Sequence, residues 1–126
     1  MQIYTKSKIS PFFLFFLLIF LCKNHCFSLP FYTTKKIIET TFEAHKCLKH
    51  VFVFDDDIDI TNPDDRFWAL TTRFQADKDI YTYPNSLGSS LDPSSEHGED
   101  RRKTCKAGFD CTITLSKDRM DFEKVN

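Results

Sequence analysis

Four carboxylates crowd into five residues of this chain: Asp55, Asp56, Asp57 and Asp59 directly follow the apolar run from Val51 to Phe54. Carboxylates at alternate positions can hold a hard cation, and one at the mouth of a strand can attack phosphorus or move a proton. Asp55, Asp57 and Asp59 occupy the first three ligand positions of a calcium-binding loop. Such a loop then needs a glycine for its sharp turn and a bidentate glutamate at its end. Ile60 and Arg66 stand there instead, which excludes calcium. The plainer alternative is an acidic turn that caps the following helix and pairs with Arg66 or Arg73.

Two metal-assisted chemistries survive this test. Asp57-Ile58-Asp59-Ile60-Thr61 fits the DxDxT pattern of haloacid-dehalogenase-type phosphatases. In those enzymes the first Asp attacks phosphate and the second serves as acid and base beside magnesium. Their nucleophile directly follows its strand, whereas here Asp55 and Asp56 intervene. An apolar strand ending in DxD is also similar to the metal-nucleotide site of sugar transferases. Both patterns are short and recur by chance, so the elements around them must decide.

The run from Val51 to Phe54 is apolar, rich in Val and Phe and bounded by polar residues, which predicts a buried strand. Ligand sites of open α/β sheets lie beyond the carboxyl ends of such strands, where these acids are. Upstream, Ile37, Ile38, Phe42, His45 and Leu48 recur at spacings of three and four. That spacing predicts an amphipathic helix from about Thr34 to Leu48, with Lys35, Lys36, Glu39 and Glu43 toward water. Downstream, Asn62 can cap a helix whose first residue, Pro63, has no N–H to leave unpaired, and Asp64 and Asp65 suit the positive end of its dipole. Phe67, Trp68, Leu70, Thr71 and Phe74 supply its buried stripe. A strand from Ile80 to Tyr83 follows, and two strands joined by a helix imply a right-handed parallel crossover. Turn formers from Pro84 to Ser95 and a polar run to Lys103 predict about twenty residues without regular structure. The segment from Cys105 to Leu115 alternates well enough for a strand or an extended return. The expected fold class is α/β, a small open sheet with a parallel βαβ crossover.

Composition narrows the function classes. The 126 residues carry a formal net charge of −1 with signs interspersed, so there is no basic face for nucleic acid. Half of the 14 Phe fall within the first 31 residues, which marks that segment as different. Lys6 and Lys8 precede an apolar run from Phe12 to Leu21, and Cys26, Phe27 and Ser28 offer a small-x-small site. These are the parts of a secretory signal peptide, cleaved after Ser28, and the run is too short to span a bilayer of roughly 30 Å. A misassigned gene start is the alternative. The expected division is therefore a leader, residues 1–32, and an α/β domain, residues 33–126. Five Cys without a CxxC pair support neither a zinc ribbon nor a disulfide framework, and isolated buried thiols are expected.

Over the interval from Thr33 to Val125 the order of four segments carries a resemblance. KKIIETTFEAHKCLKHVFVFDDDIDI, FWALTTRFQADKDI, GSSLDPSS and KTCKAGFDCTITL resemble the C-terminal domain of the UbiD family of decarboxylases. That family has an acidic turn after a strand, a W-A-x-x-T-R helix, a G-S-x-L-D-P-S loop and a T-K-x-G-I-D-A-T segment, with Cys111 here where Ala is usual. The resemblance implies non-oxidative removal of carbon dioxide from aromatic or α,β-unsaturated acids with prenylated FMN, manganese and potassium. It also implies UbiD-type subunits or a homo-oligomer as partners, and a cytoplasmic location unless the leader directs secretion. The family's Glu-Arg-Glu catalytic set and its metal ligands belong to earlier domains, so these residues are expected to be inactive alone. Lys106 matches a family lysine that reaches the flavin, and a solvated lysine is the bland alternative. On this reading Asp55, Asp57, Asp59 and Asn62 shape the turn and its cap, and Asp57 pairs with Arg73. The competing expectation remains a small exported phosphatase using Asp57 and Asp59.

Overall fold

The computed structural model describes residues 33–95 and 102–125, together with the backbone of β1 (Ile19–Cys22). The signal-like features at Lys6, Lys8, Phe12 and Ser28 lie outside the described residues. After β1 come α1 (Thr34–Ala44), β2 (His50–Phe54), α2 (Pro63–Thr72), β3 (Ile80–Leu87), β4 (Lys103–Cys111) and a short 3-10 turn (Arg119–Phe122). Among the described residues no helix is long and apolar enough to cross a membrane.

Both helices begin on side-chain caps. The Thr33 hydroxyl accepts the Lys36 amide at 3.4 Å, and the Asn62 side chain accepts the Asp64 amide at 3.0 Å, ahead of Pro63. Helix α1 stops at Ala44, four residues before the expected end, because His45 turns extended while its N–H still bonds to the Thr41 carbonyl. Leu48 nonetheless reaches the core. A turn closed from the Leu48 amide to the His45 carbonyl brings it there, so its apolar spacing reported burial and not helix.

The sheet order is β1-β2-β4-β3. Strand β2 runs parallel to both β1 and β4, and β3 is antiparallel to β4. The parallel βαβ crossover is therefore β1-α1-β2. The expected crossover through α2 is corrected: β3 is not beside β2, and the sheet is mixed. Strand β3 also extends past Pro84 to Leu87 where loop was expected. It is an edge strand, and a bulge between Tyr83 and Ser86, with Asn85 at φ 54°, absorbs the proline that a central strand would reject.

Strand alternation divides the core into two faces. Val51 and Val53 pack with Ile38 and Leu48 under α1, flanked by Phe42, Tyr81 and Tyr83. Phe54 and Cys111 pack with Ala69 and Ile58 under α2, flanked by Phe52, Trp68, Phe74 and Phe109. The Phe52 and Phe109 rings, paired across β2 and β4, stack at 4.3 Å. Gly108 lets α1 sit close to the sheet, since a Cβ there would stand 2.4 Å from a methyl of Ile38.

Candidate functional site

The acidic turn leaves the carboxyl end of β2, and its centre is a buried guanidinium. Arg73, the residue that closes α2, donates to both oxygens of Asp57, Nη1 at 2.9 Å and Nη2 at 2.6 Å. Its Nη1 also reaches Asp55 Oδ2 at 3.2 Å. The Arg73 side chain is fully excluded from solvent, and Trp68 covers it with the ring centroid 5.1 Å from the guanidinium carbon. Asp55 accepts a second bond at 2.7 Å from the Ile113 amide just beyond β4, so one carboxylate ties the ends of two parallel strands together.

The two acids respond differently to this setting. Burial raises the Asp55 carboxyl above its usual value, outweighing the Ile113 amide and the Arg73 charge. Hydrogen bonding to Arg73 lowers Asp57, which stays part exposed. Asp59 is also lowered, because its Oδ1 accepts the Thr61 hydroxyl at 2.7 Å and the Thr61 amide at 2.9 Å. Asp57 is thus paired with Arg73, and Asp59 is bonded within its own turn. A phosphatase nucleophile would need a free oxygen aimed at phosphorus, and both oxygens of Asp57 are on the guanidinium.

A second ion pair joins the residue before β2 to the loop after β3. Asp92, in the GSSLDPSS loop, accepts Lys49 Nζ at 2.7 Å, the Ser94 hydroxyl at 2.8 Å and the Ser94 amide at 3.0 Å. Lys49 also donates to the Ser94 hydroxyl. Burial pushes the Asp92 carboxyl up, but Lys49 and Ser94 outweigh it and hold it down at about 2. The two partners lie 43 residues apart, and no local pattern joins them.

Lys106 is not the solvated lysine of the bland alternative. It is 4% exposed, its ammonium donates to the Lys46 carbonyl at 2.6 Å, and it lies 5.2 Å from the Phe42 ring centroid. Desolvation lowers its pKa, and no carboxylate pairs with it among the described ion pairs. Its position follows from strand alternation, which sets Lys106 on the α1 side with Gly108. The cysteines correct one expectation. Cys111 is buried and its thiol is pushed up to about 12, but Cys47, in the turn after α1, and Cys105, near the start of β4, are free and exposed.

Residues 30–111 match the profile of the 3-octaprenyl-4-hydroxybenzoate carboxy-lyase C-terminal domain, known as UbiD_C. The chain belongs to this family. The UbiD-type domain is 46% identical over 91 residues to the anhydromevalonate phosphate decarboxylase of Methanocaldococcus jannaschii, covering 72% of this chain and 21% of that protein. It is 43% identical over 74 residues to the gallate decarboxylase of Lactiplantibacillus plantarum, covering 59% and 15%. Its fold is similar to the UbiD-class enzyme HmfF of Pelotomaculum thermopropionicum in complex with FMN, with a TM-score of 0.69, 32% identity, and 86% of this chain and 22% of that one covered. These 126 residues thus span about a fifth of the length of the curated relatives they match.

The UbiD-type relatives make the cofactor question concrete. Among the described residues no group of three or more His, Cys, Asp or Glu is placed to hold a metal ion, so the acidic turn does not fit manganese. Among the described ion pairs none holds Lys106, a cation that suits a flavin carbonyl or phosphate, but its ammonium is turned inward onto Lys46.

Proposed function

We propose that this chain serves as the C-terminal domain of a prenylated-FMN-dependent UbiD-type decarboxylase, and that the reaction centre is contributed by segments other than these residues. The observation that carries this reading is the state of the acidic turn. The most reactive-looking stretch of the sequence is spent on Arg73 and on the Ile113 amide, which leaves a scaffold where a phosphatase would need a nucleophile. The substrate class is an α,β-unsaturated acid that carries a phosphate, supported by 46% identity to anhydromevalonate phosphate decarboxylase over a longer span than the likeness to gallate decarboxylase. Within such an enzyme Lys106 leaves the Lys46 carbonyl and turns toward the flavin, while manganese and potassium are held by other domains. Partner subunits are of the UbiD type or further copies of this chain, and the site of action is the cytoplasm. Residues 33–126 form the working domain and residues 1–32 precede it.

Two measurements on the purified chain test this reading. Supplied with prenylated FMN, it retains no flavin absorbance after gel filtration and releases no carbon dioxide from unsaturated or aromatic acids. With magnesium and p-nitrophenyl phosphate, wild type and Asp57→Asn give the same background rate. A magnesium-dependent rate that vanishes in Asp57→Asn would establish the phosphatase instead.

A further inference from the structure

Past β4 the chain changes character. Cys111 and Thr112 are buried, and the Ile113 amide makes the last main-chain anchor, on Asp55. From Thr114 to Val125 every residue except Phe122 is exposed, and the 3-10 turn buries nothing. Leu115 and Val125, at 98% and 100% exposed, add no apolar hold. The family match also ends at residue 111, so this segment lies beyond the matched domain.

The segment is nevertheless held, and by charge. Arg119 Nη2 lies 3.0 Å from Asp56 and 3.9 Å from Asp57. Lys124 Nζ lies 2.6 Å from Asp65 and 5.2 Å from the centroid of the Trp68 ring, the same ring that covers Arg73. We propose that residues 114–125 are a detachable ionic strap, which closes over the acidic turn and Trp68 and opens at Thr114 without unfolding the domain beneath.

Exposed ion pairs hold weakly and are screened by salt, and a segment that buries almost no apolar surface can leave by a local opening. The anchors below the strap are of another kind, since Arg73, Asp55 and Cys111 are enclosed by the core. Opening releases Asp56 and Asp57 at the carboxyl end of β2 from Arg119, and Asp65 and the Trp68 ring on α2 from Lys124. That surface is acidic, and its occupant is this chain's own Arg119–Lys124 stretch, which meets it through the cations at its two ends. The inference does not depend on the decarboxylase reading.

Trp68 is the one tryptophan of the chain, so its fluorescence reports the strap directly. Acrylamide quenching of the full chain is measured as sodium chloride rises to about 1 M, where the Debye length falls to about 3 Å. Amide exchange is followed in parallel for wild type and for the Arg119→Glu, Lys124→Glu double variant. The expected result is an increase of about twofold in the wild-type quenching constant with salt, already present at low salt in the double variant. Exchange protection falls in residues 114–125 alone and persists in β2 and β4. Quenching indifferent to both salt and charge reversal would overturn the proposal, as would loss of β2 and β4 protection together with the strap's.

Discussion

At the scale of single residues, Arg73 decides what the acidic turn is. A guanidinium with no solvent exposure, shared by Asp55 and Asp57, is a structural cross-link between the end of α2 and the end of β2. Removing it strands Asp55 beneath the surface, so Arg73→Ala should cost about 3–5 kcal/mol in urea unfolding. Arg73→Lys should recover only part of that loss, since an ammonium does not reproduce the two parallel bonds to Asp57. The pH dependence belongs to the same scale. Asp92 is held at about 2 by Lys49 and Ser94, below an unfolded carboxylate near 3.9. Its contribution is therefore complete above the unfolded value and is lost as pH falls from about 4 toward 2. Asp57, also lowered, loses its share in the same direction, whereas Asp55 is raised and is relieved of a charged burial cost on acidification. Urea midpoints taken from pH 5 downward should fall less steeply in Asp92→Asn than in wild type. The pairing of Asp57 with Arg73 was legible because one helix separates the two. Lys49 with Asp92, and the inward turn of Lys106, were not legible, because each depends on a contact made only when distant strands assemble.

At the scale of elements, the sequence disclosed what each segment is more reliably than how the segments pair. The cap at Asn62, the proline start of α2 and the apolar run of β2 are local signals, and all three appear where they were expected. Strand direction is not local. A helix between β2 and β3 suggested that they run parallel, but β4 inserts between them and reverses the sense of β3. The insertion requires Gly108, because β4 passes directly under Ile38. Gly108→Ala should therefore destabilise by about 1–3 kcal/mol through overpacking. The double variant with Ile38→Ala should cost less than the sum of the two single changes, a coupling that thermal unfolding of the four proteins would measure. A simple sum would mean that the close approach does not constrain the helix.

At the scale of the whole molecule, the chain is a family domain whose acids hold architecture in place. Its likeness to UbiD-class enzymes extends over most of the chain but only about a fifth of theirs. The four ordered motifs made that membership legible, because they sit at the β2 end, on α2, in the loop bound by Lys49 and on β4. The strap lies past the end of the family-model match at residue 111, and its role emerged only from where Arg119 and Lys124 rest. Carbon dioxide release tests the central claim most directly. The assay uses the chain with prenylated FMN, manganese and potassium, with and without a UbiD-type decarboxylase shortened by its own C-terminal domain. The account predicts no release from the chain alone and release from the mixture, reduced by Lys106→Met. Turnover by the chain alone, or none from the mixture, would contradict it.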